Sequence, residues 1–159
     1  MSVSAADWQK ELTRLWRPPV VVLGVGRRGH GDDAGGPLLI DQLPTAPDIV
    51  GIDCGTAPEN FLGVVRRHNP GLVLVVDATH TGSPPGTVQL LSADQLVHTD
   101  LGTHGPTPAL FLQMLEQEVS APCVVLAIEP ERVGPDLPPS ACVLAAIRSI
   151  ADLARSHLA

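Results

Sequence analysis

Gly71-Leu72-Val73-Leu74-Val75-Val76-Asp77-Ala78-Thr79, near the middle of the chain, decides the fold. Leu72 to Val76 form an unbroken apolar run rich in β-branched residues, the pattern of a strand buried on both faces. A helix is disfavoured because the run is short and bracketed by Pro70-Gly71 and by Gly82 to Gly86. The run then stops on Asp77. Ligands of open α/β sheets collect outside the carboxyl ends of the strands, so this carboxylate stands where chemistry is expected. Its plainer alternative is a loop aspartate capping a turn.

Working outward, Val20 to Leu23, Ile49 to Asp53, Thr87 to Leu91 and Cys123 to Ile128 read as further strands, about five in all. Helical stretches alternate with them. One runs from about Asp33 to Leu43, with Pro37 tolerable only in its first turn. Another spans Pro58 to His68, with Phe61, Leu62, Val64 and Val65 inward, and Ser92 to Val97 is a short helical turn. Thr107-Pro108 supplies an N-cap and first helical position for a helix through Leu110, Phe111, Met114 and Leu115. Ser140 caps a closing helix with Val143, Leu144, Ile147, Ile150 and Leu153 on its apolar positions. Ahead of all this, Ser4-Ala5-Ala6-Asp7 has the form of a capping box opening an N-terminal helix within residues 1–17. Trp8, Leu12, Leu15 and Trp16 share one of its faces, a packing stripe, and Arg17-Pro18-Pro19 ends it. This alternation predicts a single α/β domain over 1–159, with a mostly parallel twisted sheet between helical layers.

Composition narrows the function. The 159 residues are 44% hydrophobic, enough for one domain with a real core. No apolar run is long enough to span a bilayer, so membrane insertion is not expected. The polar N-terminus lacks a secretory pattern, and the reading is a cytoplasmic protein. A net charge of -7 argues against nucleic-acid binding, which rests on Lys and Arg facing phosphates. Cys54, Cys123 and Cys142 form neither a metal-ligand pair by spacing nor an even disulfide set.

Two constellations compete for the site. Gly24-Val25-Gly26-Arg27-Arg28-Gly29 matches the dinucleotide G-x-G-x-x-G after a strand, and Asp53 ends the next strand where a ribose-binding acid would lie. Against it, His30-Gly31-Asp32-Asp33-Ala34-Gly35-Gly36-Pro37 is a poor first turn and a half of helix. Paired carboxylates there would also repel a pyrophosphate. The second constellation is Asp33 opening the first helix, Asp77 ending the central strand and His104 ahead of a later helix. All three can meet on one rim of the sheet, and two carboxylates with an imidazole suit Zn, Ni or Co better than Ca. The structural alternative has Asp32 capping, Asp33 facing solvent and His104 in a turn.

These residues carry a family resemblance. Val22-Leu23-Gly24-Val25-Gly26, Gly31-Asp32-Asp33 and Gly36-Pro37 resemble the opening signature of the nickel-iron hydrogenase maturation endopeptidases. Ile52-Asp53-Cys54-Gly55-Thr56-Ala57-Pro58-Glu59-Asn60 is similar to the second signature as found in the hydrogenase 3 (formate hydrogenlyase) branch. Val75-Val76-Asp77-Ala78-Thr79 with Pro85-Gly86 resembles the third, Thr103-His104 the fourth, and Leu126-Ala127-Ile128-Glu129-Pro130 with Val133-Gly134 the fifth. The motifs run in order from about Val20 to the closing helix. Arg27, His30 and Cys54 depart from the usual family residues, and the N-terminal Trp helix precedes the place where close relatives begin.

The resemblance implies a three-layer α/β/α fold with one antiparallel strand. It implies cleavage of a C-terminal extension from the hydrogenase large-subunit precursor after nickel insertion. It also places metal ligands at Asp33, Asp77 and His104. Two hydrolytic routes stay open. In one, nickel held by the precursor is ligated by the three residues while Asp32, Asp33 or Asp77 serves as general base. In the other, a self-sufficient metallohydrolase activates water on its own metal. Arg27 and Arg28 are candidates to clamp the precursor tail, His30 and His80 read as surface residues in preference to spare ligands, and Cys54 reads as an inert buried thiol.

Overall fold

The computed structural model describes residues 7–96 and 107–158. Ser4 of the expected capping box and His104 lie outside the described residues. The apolar runs form five strands: β1 (Val20–Val25), β2 (Ile49–Gly55), β3 (Leu72–Ala78), β4 (Val88–Leu91) and β5 (Cys123–Ile128). They make one sheet in the order β2-β1-β3-β5-β4, with every pairing parallel except β4 against β5.

Burial on both faces explains the unbroken apolar runs. Side chains alternate across a strand, so β3 sends Leu72, Leu74 and Val76 to one layer and Val73 and Val75 to the other. On the first side they meet Leu39 of α2 (Gly35–Gln42) and Val143, Ile147 and Ile150 of α6 (Ala141–Ser156). Trp8 and Leu12 of α1 (Trp8–Leu15) join that cluster, as the packing stripe predicts. On the other side lie Val65 of α3 (Leu62–Arg67), Leu96 of α4 (Ala93–Leu96), and Phe111, Leu112 and Leu115 of α5 (Pro108–Glu118). The layers are therefore helix, sheet, helix.

Boundaries shift where local chemistry overrides pattern. The helix expected from Asp33 begins instead as a 3-10 turn over Asp32–Ala34, and α2 starts at Gly35. Pro37 has no N–H to offer the carbonyl of Asp33. That carbonyl takes the backbone N–H of Arg27 instead, at 3.1 Å. Likewise Pro58–Phe61 is a 3-10 turn ahead of α3, and β2 continues two residues past Asp53. Thr107 does cap α5, accepting the N–H of Leu110 at 3.1 Å.

The strand order places the site. The chain leaves β1 for β2 on one side and returns through β3 on the other, so the β1/β3 boundary is the topological switch point. There α2 lies directly on the strand ends. A side chain at Gly36 would stand 2.4 Å from the carbonyl oxygen of Val25 and 2.6 Å from that of Val76.

Candidate active site

Asp33 and Asp77 meet at the switch point. Asp33 sits in the 3-10 turn after β1, and its carboxylate accepts the backbone N–H of Arg27 at 3.0 Å. Asp77 is the penultimate residue of β3. Burial pushes the Asp77 carboxyl well above its ordinary range, and the neighbouring Asp33 charge pushes it the same way. The backbone N–H of Ala78 opposes both and does not prevail. Two acids so placed cannot both ionise cheaply without a cation or a shared proton. Just beyond them, the Thr79 hydroxyl is buried and has no hydrogen-bond partner among the described residues.

The adjacent Asp32 does something else. It is fully buried, and its carboxylate gathers donors from two distant segments. The N–H groups of Glu131 and Arg132 donate to Oδ2 at 2.7 and 3.0 Å, and that of Ser140 to Oδ1 at 2.6 Å. The Ser140 hydroxyl lies within 2.9 Å of both oxygens. Burial opposes the charged form, yet the donors from Ser140, Arg132 and Glu131 outweigh it and hold the carboxyl below its ordinary range. Asp32 faces no solvent and has its acceptor sites filled. It ties the loop after β5 and the start of α6 to the loop after β1.

The two arginines separate in the same way. The Arg28 guanidinium pairs with Asp41 at 2.8 Å and Asp53 at 3.1 Å, and also donates to the Pro37 carbonyl at 3.3 Å. These donors are thus engaged within the fold. Arg27 reaches Asp33 only through its backbone, and its guanidinium has no hydrogen bond or ion pair among the described residues.

These contacts also occupy the glycine loop. The N–H of Gly26 bonds the Gly55 carbonyl at 2.9 Å, that of Arg27 serves Asp33, and Asp53 is held by Arg28. Gly29 lies in a turn and not in a helix. The N–H groups of Gly26 and Arg27 and the Asp53 carboxylate, which a dinucleotide would need, are engaged elsewhere. Cys54 is buried, and burial with the nearby Asp53 charge pushes its thiol up to about 12, which leaves it un-ionised and inert.

Glu129 went unassigned from sequence. It follows directly on β5, is 5% exposed, and accepts three hydrogen bonds at Oε1 from the N–H and hydroxyl of Thr81 and the N–H of Ser83. Its Oε2 contacts His80 Nδ1 at 3.2 Å. Burial disfavours the charged form, but these donors prevail and lower its pKa. The signal that singled out Asp77, a carboxylate closing an apolar strand, applies equally to Glu129.

With this geometry in view, the comparisons are specific. The hydrogenase maturation protease family model matches residues 40–157. The chain belongs to the hydrogenase maturation protease family. It is 35% identical over 116 residues to the hydrogenase 3 maturation protease of Escherichia coli (strain K12), covering 72% of this chain and 74% of that protein. The solution structure of the endopeptidase HycI from Escherichia coli superposes with a TM-score of 0.76 at 31% identity, covering 86% of this chain and 89% of that one. The crystal structure of the maturation protease HycI from Thermococcus kodakarensis gives 0.75 at 25% identity, covering 86% and 92%. The maturation protease fold therefore includes the five-stranded mixed sheet described above, and the chain fits the hydrogenase 3 branch. Among the described residues of this family member, no helix is long and apolar enough to cross a membrane.

Proposed function

We infer that this chain is an endopeptidase that removes the C-terminal extension of a nickel-iron hydrogenase large-subunit precursor once nickel has been inserted. The observation that carries the reading is the Asp33–Asp77 pair at the switch point, whose burial and repulsion a cation would relieve. In this reading the nickel belongs to the precursor and is part of the substrate. Asp33 and Asp77, with His104 as the family resemblance implies, supply oxygen and nitrogen ligands to its open side. That contact fixes the scissile bond against the rim. Either aspartate then takes the proton of the attacking water, and Asp32, with its acceptor sites filled, does not. Arg27, exposed and uncommitted, engages the precursor tail, while Arg28 holds the loop that carries Asp33.

Three ligands at an open rim, two of them carboxylates, hold nickel weakly without a partner. Cleavage should therefore require a nickel-loaded precursor and not merely nickel in the buffer. The test mixes the protein with precursor made with and without nickel and follows loss of the extension by mass. Cleavage confined to the loaded precursor supports the reading; equal cleavage of both favours the self-sufficient metallohydrolase.

A further inference from the structure

The loop after β3 carries an imidazole that the reading above leaves idle. His80 stands three residues beyond Asp77, on the carboxyl-end rim of the sheet. Its side chain is 75% exposed, yet Nδ1 lies 3.2 Å from a carboxylate that is 5% exposed. An exposed histidine ordinarily samples several rotamers. This one is held by a buried group whose own position is fixed by Thr81 and Ser83.

The division of labour within Glu129 is informative. Oε1 takes all three donors of the Thr81–Ser83 turn. Oε2 takes His80 alone among the described residues. The turn is thus built by one oxygen, and the other serves the imidazole. An ionised carboxylate only accepts, so Nδ1 carries the proton in this contact. In the neutral ring, Nε2 is then the acceptor and faces away from Glu129. A carboxylate fixing one ring nitrogen so that the other is presented outward is the arrangement that orients working histidines.

We propose that His80 is a substrate-contacting residue, its Nε2 accepting a hydrogen bond from a backbone N–H or hydroxyl of the precursor polypeptide, with Glu129 as its positioning residue. The identity of the substrate rests on the reading above; the contact itself is tested separately. His80→Ala removes the acceptor. Glu129→Gln keeps a carbonyl oxygen for the turn but sets an amide NH2 opposite Nδ1, which reverses the neutral tautomer and puts a proton on Nε2. Each variant should lower kcat/KM for precursor cleavage about tenfold, the worth of one well-placed hydrogen bond. The double variant should fall no further than either alone. Imidazole 15N spectra of the neutral ring should show the proton on Nδ1 in the parent and on Nε2 in Glu129→Gln. Adding precursor should shift the His80 resonances of the parent.

Cleavage by His80→Ala at the parent rate would overturn the proposal. So would a Glu129→Gln loss that persists undiminished in the His80→Ala background, since Glu129 would then act through the turn alone. If the parent cleaves no precursor, the functional reading fails and the spectra decide: His80 shifts on adding precursor still support the contact, and unmoved resonances reject it.

Discussion

Two neighbouring carboxylates, Asp32 and Asp33, show how little residue type says about role. Asp32 is a buried acceptor for backbone N–H groups, and Asn in its place would turn an NH2 toward some of those donors. Leaving about two buried N–H groups unsatisfied should cost Asp32→Asn roughly 3 kcal/mol of unfolding free energy, read by denaturant titration. The Asp33 carboxylate accepts a single hydrogen bond, from the Arg27 N–H, and the residue is only partly buried. Asp33→Asn should therefore fold with near-parent stability and lose processing. An Asp32→Asn protein as stable as the parent would contradict the first assignment. A folded Asp33→Asn protein that processes at the parent rate would contradict the second. Sequence spacing could not separate this pair, because the partners of Asp32 lie about a hundred residues away.

At the scale of elements, the loop from β1 to α2 looks like a phosphate cradle in sequence and is a support for Asp33 in three dimensions. Gly26 has φ +146°, and a Cβ there would stand 1.8 Å from the Asp33 carbonyl oxygen. Gly26→Ala should cost more than about 3 kcal/mol and displace Asp33 with it. Gly29, at φ +79°, has open space around it, so Gly29→Ala should cost only the backbone term of about 1–2 kcal/mol. Thermal unfolding and processing of the two variants check the contrast, and equal losses would refute it. The N-terminal helix is a separable case. Trp8 is buried in the α2/α6 layer, and Trp8→Ala should destabilise by about 3–5 kcal/mol. Processing per folded molecule should hold, because α1 packs chiefly against the edge strand β4, which β5 separates from the strand that carries Asp77. The strands were legible because both-face burial writes itself as unbroken apolar runs. That β4 is antiparallel was not, because a short run carries no sign of its partner's direction. Only the family resemblance supplied it.

For the whole molecule, the readable part of the site was convergence: Asp33 lies in the turn after β1, Asp77 near the end of β3, and the order β2-β1-β3-β5-β4 brings those strand ends together. What was hidden is the electrostatic consequence, which depends on burial. Asp32 and Glu129 have depressed pKa values in the fold, so their stabilisation is present above the ordinary carboxylate range and is lost as pH falls through their folded values. Asp77 runs the other way. Its folded pKa is raised, so its contribution is complete below the ordinary range and is lost as pH rises through the raised value. Acidifying the metal-free protein from neutrality should first increase stability as Asp77 takes a proton, then decrease it as Asp32 and Glu129 are protonated. The maximum should lie on the acid side of neutrality. Asp77→Asn removes the first phase, so the variant should unfold about 2–4 °C above the parent at pH 7.5 while failing to process precursor. Its stability should then only fall as pH drops. Melting curves of parent and variant across pH 4 to 8 test this. A variant less stable than the parent at neutral pH would mean that Asp77 holds no destabilising charge, and the case for a cation at the switch point would go with it.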